Sequence, residues 1–169
     1  MSTHSKLTTK PFLLKILFCF SAFIIIPNAS AQIWATATSK HRTNDSVIVF
    51  RYLKEFKNSY NIKQYPDQVT LTWTYFGNKG MPSTDERVKM DKFEDTLLSL
   101  LDKDNLATLT IVSTGNNVRE WKYYAKSSSS FKRKLNLALK EFSDLPIEFQ
   151  ISPDPEWTVY KNFKAAVKE

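Results

Sequence analysis

Eight residues in the second half of the chain have side chains that could bind a ligand or take part in a reaction. They fall in two short runs, REWKYY at 119–124 and DPEWTVY at 154–160. Both runs combine carboxylates with large aromatic rings, which suit a sugar ring or a loop of a partner protein. Tryptophan, tyrosine and arginine are typical anchors of protein interfaces. The candidate binding residues are Arg119, Glu120, Trp121, Tyr123, Asp154, Glu156, Trp157 and Tyr160.

Glycoside hydrolysis is the one enzyme class that these residues could support, because it uses a pair of carboxylates. Glu120, Asp154 and Glu156 could supply the pair. The two carboxyl groups must lie about 5 Å apart in retaining enzymes and about 6.5–9.5 Å apart in inverting ones. Asp154 also has the position of a helix cap, and hydrogen bonds from backbone N–H groups would lower its pKa and make it a poor general acid.

Residues 1–31 have the features of a cleavable export signal. Lysines precede an apolar run at 16–26, and the small residues Ala29 and Ala31 mark a cleavage site. The run is too short to cross a bilayer, which requires about 20 apolar residues. We expect membrane contact only during export, and a single mature domain at 32–169 in the periplasm or outside the cell.

Loss of this leader changes what the composition implies. The net charge falls from +7 to +4, because Lys6, Lys10 and Lys15 leave and no acidic residue does. So small an excess does not provide the basic stripe typical of nucleic-acid binding. Cys19 also leaves, and His41 alone cannot form an all-histidine metal site. We therefore expect no nucleic acid, no metal and no cofactor, and another envelope protein as the partner.

The elements that position the candidate residues have the order strand, helix, strand, strand, helix, strand. This order predicts an α+β, ferredoxin-like βαββαβ antiparallel sheet. Residues 69–75 alternate apolar and polar side chains, and 106–126 reads as two strands joined by a tight turn. A β-hairpin from 33–39 and 46–52 is expected before this unit, and a helix after it.

The run at 119–124 is predicted to be a central strand. Its side chains alternate, so Arg119, Trp121 and Tyr123 should face one side of the sheet. Glu120 and every second residue after it should face the other side. The helices of this fold cover one sheet face, which leaves the threonine-rich face for a partner or for the hairpin.

The helix boundaries are predicted from capping residues. Ser83 begins a capping box with Glu86, and the helix that follows should place Glu94 on its polar side. Asp154 and Pro155 predict the N-cap and first turn of the last helix. The aromatic residues that follow should fix this helix to the domain.

The motifs REWKYY at 119–124 and DPEWTVY at 154–160 resemble those of the family catalogued as domain of unknown function 695. The similarity extends over about 33–163 and includes TWTY at 72–75 and the turn that begins at Ser113. The resemblance implies a ferredoxin-like domain, and it brings no established reaction or ligand.

Three interpretations remain open at this stage. The first is a non-enzymatic binding or regulatory module of the cell envelope. The second is a carboxylate-dependent glycoside hydrolase. The third is a structural envelope domain that self-associates through an edge strand.

The first testable prediction concerns the leader. Mass spectrometry of the protein expressed with its own N-terminus should find a mature chain that begins at Gln32. Ala31→Arg should block processing, because a bulky cation does not fit a small-residue cleavage site. Ala35→Arg, four residues downstream, is the control. An intact N-terminus on the unsubstituted protein would contradict the prediction.

Overall fold

The computed structural model describes residues 32–40, 46–56 and 60–167, and the predicted leader and His41 lie outside these ranges. Within them, six strands form one antiparallel sheet, on which three α-helices pack. The elements are β1 (Ile33–Lys40), β2 (Val47–Glu55), β3 (Asp67–Thr74), α1 (Thr84–Asp102), β4 (Ala107–Gly115), β5 (Val118–Ala125), α2 (Ser128–Leu139), β6 (Ile147–Pro153) and α3 (Thr158–Ala166).

The strands lie side by side in the order β1–β2–β4–β5–β3–β6. The α+β class, the antiparallel sheet, the N-terminal hairpin and the terminal helix are confirmed. The hairpin extends the sheet, because β2 pairs with β4 and places Phe50 opposite Ser113. Gly115 permits this close approach, since a Cβ there would lie 2.3 Å from the carbonyl oxygen of Val47. The strand order is therefore not that of a simple four-stranded βαββαβ sheet.

One face of the sheet is covered by α1 and α2. The alternating residues of β3 and β5 supply much of this core, and Phe93 of α1 packs against Trp121 with their ring centroids 5.6 Å apart. α1 begins as predicted, because the Ser83 hydroxyl accepts the backbone N–H of Glu86. The Glu86 carboxylate accepts the indole N–H of Trp73 at 2.7 Å, which ties the first turn of α1 to the sheet.

The opposite face carries a second, aromatic core beneath α3. Tyr124 of β5 and Trp157 and Tyr160 of the C-terminal segment are its centre, and Tyr52 of β2 extends it. Tyr123 and Tyr124 are both fully buried although they point to opposite faces. The predicted alternation along 119–124 is confirmed, and the C-terminal end of β5 is buried on both sides.

The expectation that Glu94 lies on the polar side of its helix was wrong. Glu94 is only 4% exposed and accepts hydrogen bonds from the Trp121 indole at 2.7 Å and from Arg119 at 3.0 Å. Arg51 of β2 also donates to this carboxylate. Glu94 falls in the same helical stripe as buried Met90, four residues earlier, so the helix directs it at the sheet. Its carboxylate thus connects α1, β2 and β5.

The second prediction concerns this buried carboxylate. Glu94→Gln should lower the free energy of unfolding by about 3 kcal/mol, because Arg119 would lose its buried counter-charge. Urea denaturation followed by tryptophan fluorescence measures the change. Asp95→Asn, the exposed neighbour on the same helix, should change stability by less than about 0.5 kcal/mol. Equal effects of the two substitutions would contradict the role given to Glu94.

Candidate functional site

The structure divides the predicted binding residues between the two faces of the sheet. Arg119, Trp121 and Tyr123 lie under α1 and α2, where the Arg119 guanidinium is 5.0 Å from the centre of the Trp121 ring. Arg119 also pairs with Asp91 of α1 at 2.8 Å. These three side chains are buried in the core, and a ligand does not reach them from solvent.

Tyr123 carries a polar atom without a hydrogen-bond partner among the described residues, as does Arg119 at its Nε. Burial, together with the nearby charge of Glu94, raises the pKa of the Tyr123 hydroxyl well above its ordinary value. A hydroxyl held neutral and fully enclosed is unsuited to proton transfer with a substrate.

The other predicted residues that come together are Asp154, Trp157 and Tyr160, on the α3 side. The Tyr124 hydroxyl donates to the Asp154 carboxylate at 2.6 Å and accepts the backbone N–H of Tyr160 at 3.3 Å. The Trp157 ring stacks on Tyr124 with centroids 3.9 Å apart and planes 11° apart. Its indole N–H donates to the carbonyl oxygen of Tyr65 at 2.9 Å. This cluster fixes the start of α3 to the sheet.

Asp154 caps α3 in a different way from the one predicted. The helix begins at Thr158, not at Pro155, because Trp157 has a left-handed backbone (φ 59°, ψ 38°) that a helix cannot include. The Asp154 carboxylate nevertheless accepts the backbone N–H groups of Thr158 and Val159, at 2.7 and 3.0 Å. Burial opposes its ionisation, but these bonds and that of Tyr124 outweigh burial and lower the pKa of Asp154.

The three acids proposed for a hydrolase do not form an acid–base pair. Glu120 lies 3.4 Å from the ammonium group of Lys122. Glu120 also lies four residues before Tyr124 on β5, which places it about 13 Å along the strand from Tyr124, the hydrogen-bond partner of Asp154. Glu156 is exposed on the turn before α3. Asp154 is buried, and its carboxylate accepts hydrogen bonds from Tyr124, Thr158 and Val159, so the arrangement does not favour glycoside hydrolysis.

A hollow lies elsewhere, between the β1–β2 hairpin and the C-terminal half of α3. It is an open groove with a volume of about 820 Å³, within the range of ligand-binding clefts, which is about 300–1,000 Å³. Small side chains of β1 form its floor, and aromatic and aliphatic residues of β2 and α3 form a wall. The groove is lined by Ala35, Thr36, Ala37, Thr38, Ser39, Phe50, Tyr52, Lys54, Phe163, Ala166 and Val167.

The wall formed by α3 is held firmly against β2. The Tyr160 hydroxyl donates to the carbonyl oxygen of Leu53 at 2.6 Å, and the Lys164 ammonium donates to that of Lys54 at 3.1 Å. The ring of Phe163 lies 5.2 Å from Phe50, centre to centre. Burial raises the pKa of Tyr160 to about 12, and nearby Tyr52 adds to the shift, so this hydroxyl stays a donor at neutral pH.

The groove runs beside an open edge of the sheet. In the described part of the chain β1 pairs only with β2, so its other side presents free backbone N–H and C=O groups. Residues 33–39 contain no charge and no proline. β6, the edge strand on the far side, contains Glu148 and ends at Pro153, both of which discourage pairing with another strand. The two edges thus differ in whether they can accept a further strand.

The sequence reasoning missed this site, although one signal for it was present. The alternation of large and small uncharged residues at 33–39 marks a strand with a shallow face. The position of β1 at the sheet edge and the contact of Phe163 with Phe50 follow from tertiary packing, which local patterns do not encode.

Residues 32–40, 46–56 and 60–167 contain no group of three or more His, Cys, Asp or Glu that could hold a metal ion. No helix within these ranges is both long and apolar enough to cross a membrane.

A model of a family of unknown function, DUF695, matches residues 32–164. No curated protein and no solved structure gives a significant match.

The third prediction concerns the pH dependence of stability at Asp154. Its folded-state pKa lies below the ordinary value of 3.8, so its contribution is complete above that pH and is lost as pH falls through the folded-state pKa. Asp154→Asn should lower the free energy of unfolding at pH 7 by about 1–2 kcal/mol. The difference from the unsubstituted protein should shrink below pH 3.

Urea denaturation at a series of pH values measures this difference. The matched control is Glu156→Gln, an exposed acid two residues away on the same turn. It should leave the pH profile unchanged. A difference between Asp154→Asn and the unsubstituted protein that stays constant from pH 7 to pH 2.5 would rule out the assigned role of the carboxylate.

Proposed function

We propose that this chain, which belongs to the family of unknown function DUF695, is a binding module that accepts an extended segment of another protein as an added strand along β1. The observation that carries the proposal is the uncharged, unpaired edge of β1 beside the groove. Strand addition uses main-chain hydrogen bonds for affinity and pockets for alternate side chains for specificity. β1 and the groove provide both.

The character of the two edges supports this choice. Soluble proteins commonly blunt an exposed edge with charges, proline or a bulge. β6 carries such features, whereas β1 is eight residues long and has its one charge at Lys40, its last residue. Its register shift lies at the other end, between Ile33 and Trp34. The central part of β1 is thus left open to a partner strand.

The buried residues agree better with a binding role than with a catalytic role. The aromatic residues of both runs are used in packing, and the carboxylates of Glu94 and Asp154 are used to hold α1 and α3 in place. Where a tyrosine has a shifted pKa, the pKa is raised, so it lies further from neutral pH than the ordinary value does. The groove, by contrast, combines apolar side chains with threonine, serine and lysine, which suits recognition of a partner's side chains.

The architecture proposed with this function is a ferredoxin-like unit extended by a hairpin. The four strands β3 to β6 lie in the order β4–β5–β3–β6, with α1 and α2 on one face, which supports this description. β1 and β2 then continue the sheet beyond β4 and carry the binding edge. The hairpin is the part of the architecture on which the proposed function rests.

We place this module outside the cytoplasm, as a domain released from its leader. The pattern of residues 1–31 supports export, and the family match begins at Gln32, the residue after the proposed cleavage site. An exported partner with an exposed extended segment is the expected ligand.

The fourth prediction tests the binding edge. Peptides selected by display on the purified protein should protect backbone amides of β1 from hydrogen exchange, because an added strand forms main-chain hydrogen bonds there. Ala37→Phe should weaken their binding at least about tenfold, since the ring would fill the groove floor.

Gln150→Phe is the matched control, because it adds the same ring to an exposed position on the same sheet face at the opposite edge. It should leave the affinity unchanged. Protection confined to other strands, or equal binding by the protein and Ala37→Phe, would overturn the proposed function. Circular dichroism of both variants verifies that they are folded.

A further inference from the structure

We infer that the added segment carries large apolar side chains at alternate positions and an acidic residue near the end of the groove at Lys164. This inference rests on the proposed function and specifies its partner. It distinguishes a foreign segment from a second copy of this chain, which the open edge could also pair with.

The size of the floor residues argues against a second copy. Ala35 and Ala37 pack against the core on the α3 side, and Ser39 follows them on the same face of β1. A second β1 strand would bring its own alanines to the same side, and a groove of about 820 Å³ would stay largely unfilled. Unfilled apolar space forfeits the contact energy that a close-packed interface provides. A strand with larger side chains would fill it.

The spacing of a strand fits this occupant. Side chains on one face of a strand recur about every 6.6–6.8 Å, so the stretch 35–39 faces about three positions of an added strand. Two of its side chains would lie over Ala35 and Ala37, and would meet Phe163 and Val167 of the α3 wall. Each leucine-sized side chain buried there should tighten binding about tenfold or more.

The charge at the rim argues for an acidic group on the partner. The Lys164 ammonium lies 5.4 Å from the centre of the ring of Tyr52, a residue that lines the groove. It also donates to the backbone oxygen of Lys54, another lining residue, so this cation stands beside that end of the groove. Opposite charges across an interface favour the correct partner and disfavour others. A glutamate or aspartate on the added strand would complement Lys164.

The experiment uses three synthetic peptides of one length, measured by isothermal titration calorimetry against the purified protein. The first has leucine at alternate positions, threonine between them and glutamate at both ends. The second replaces leucine by alanine, and the third replaces glutamate by glutamine. We expect the first to bind at least about tenfold more tightly than the second. We expect it to bind about three- to fivefold more tightly than the third.

Lys164→Met tests the charge without removing the side-chain stem that packs on Tyr52. It should remove the preference for glutamate and retain the preference for leucine. Equal binding of the leucine and alanine peptides would overturn the inference, as would a dimer by light scattering whose formation Ala37→Phe abolishes. If the leucine and alanine peptides bind equally and Ala37→Phe weakens both, the inference fails and the proposed function stands. If the leucine peptide binds and Ala37→Phe does not weaken its binding, the proposed function fails.

Discussion

The candidate site depends on the hydrogen bonds that the carboxylate of Asp154 accepts. This carboxylate joins the phenol of Tyr124, on the central strand, to the first backbone N–H groups of α3. Trp157 then stacks on Tyr124 in a strained left-handed conformation that an isolated segment would not retain. Because α3 is nine residues long, its own helical propensity is too small to fold it without such contacts. The groove wall therefore depends on the central strand as well as on the contacts of α3 with β2.

The two faces of the sheet are covered in different ways. The face beneath α1 and α2 is a conventional core, joined to the helices through Glu94 and the Trp73 indole. The face beneath α3 is only partly covered, and its open portion borders the hairpin. A strand edge and a groove meet there, which is the combination on which the proposed strand addition rests. The proposed binding edge thus borders the sheet face opposite α1 and α2, and β5 contributes packing contacts to both faces.

Much of the fold could be predicted because its signals are local. Alternation along a strand assigned the faces of β3 and β5, and Ser83 marked the start of α1. Glu94 was misassigned because a carboxylate counts as polar in any helical pattern, whereas its burial depends on Arg119, 25 residues away. Trp157 was misassigned because capping rules describe neighbours in sequence, and its conformation is set by stacking on a distant strand. The eight candidate residues are divided between the two faces of the sheet, because side chains alternate along β5.

The groove is assembled from the two ends of the domain. Its floor belongs to the first strand that the structure describes and its wall to the last helix, with every other element in between. During synthesis the floor is made first and the wall last. The groove is therefore complete only when the final residues have docked, and the proposed side-chain discrimination requires a fully folded domain.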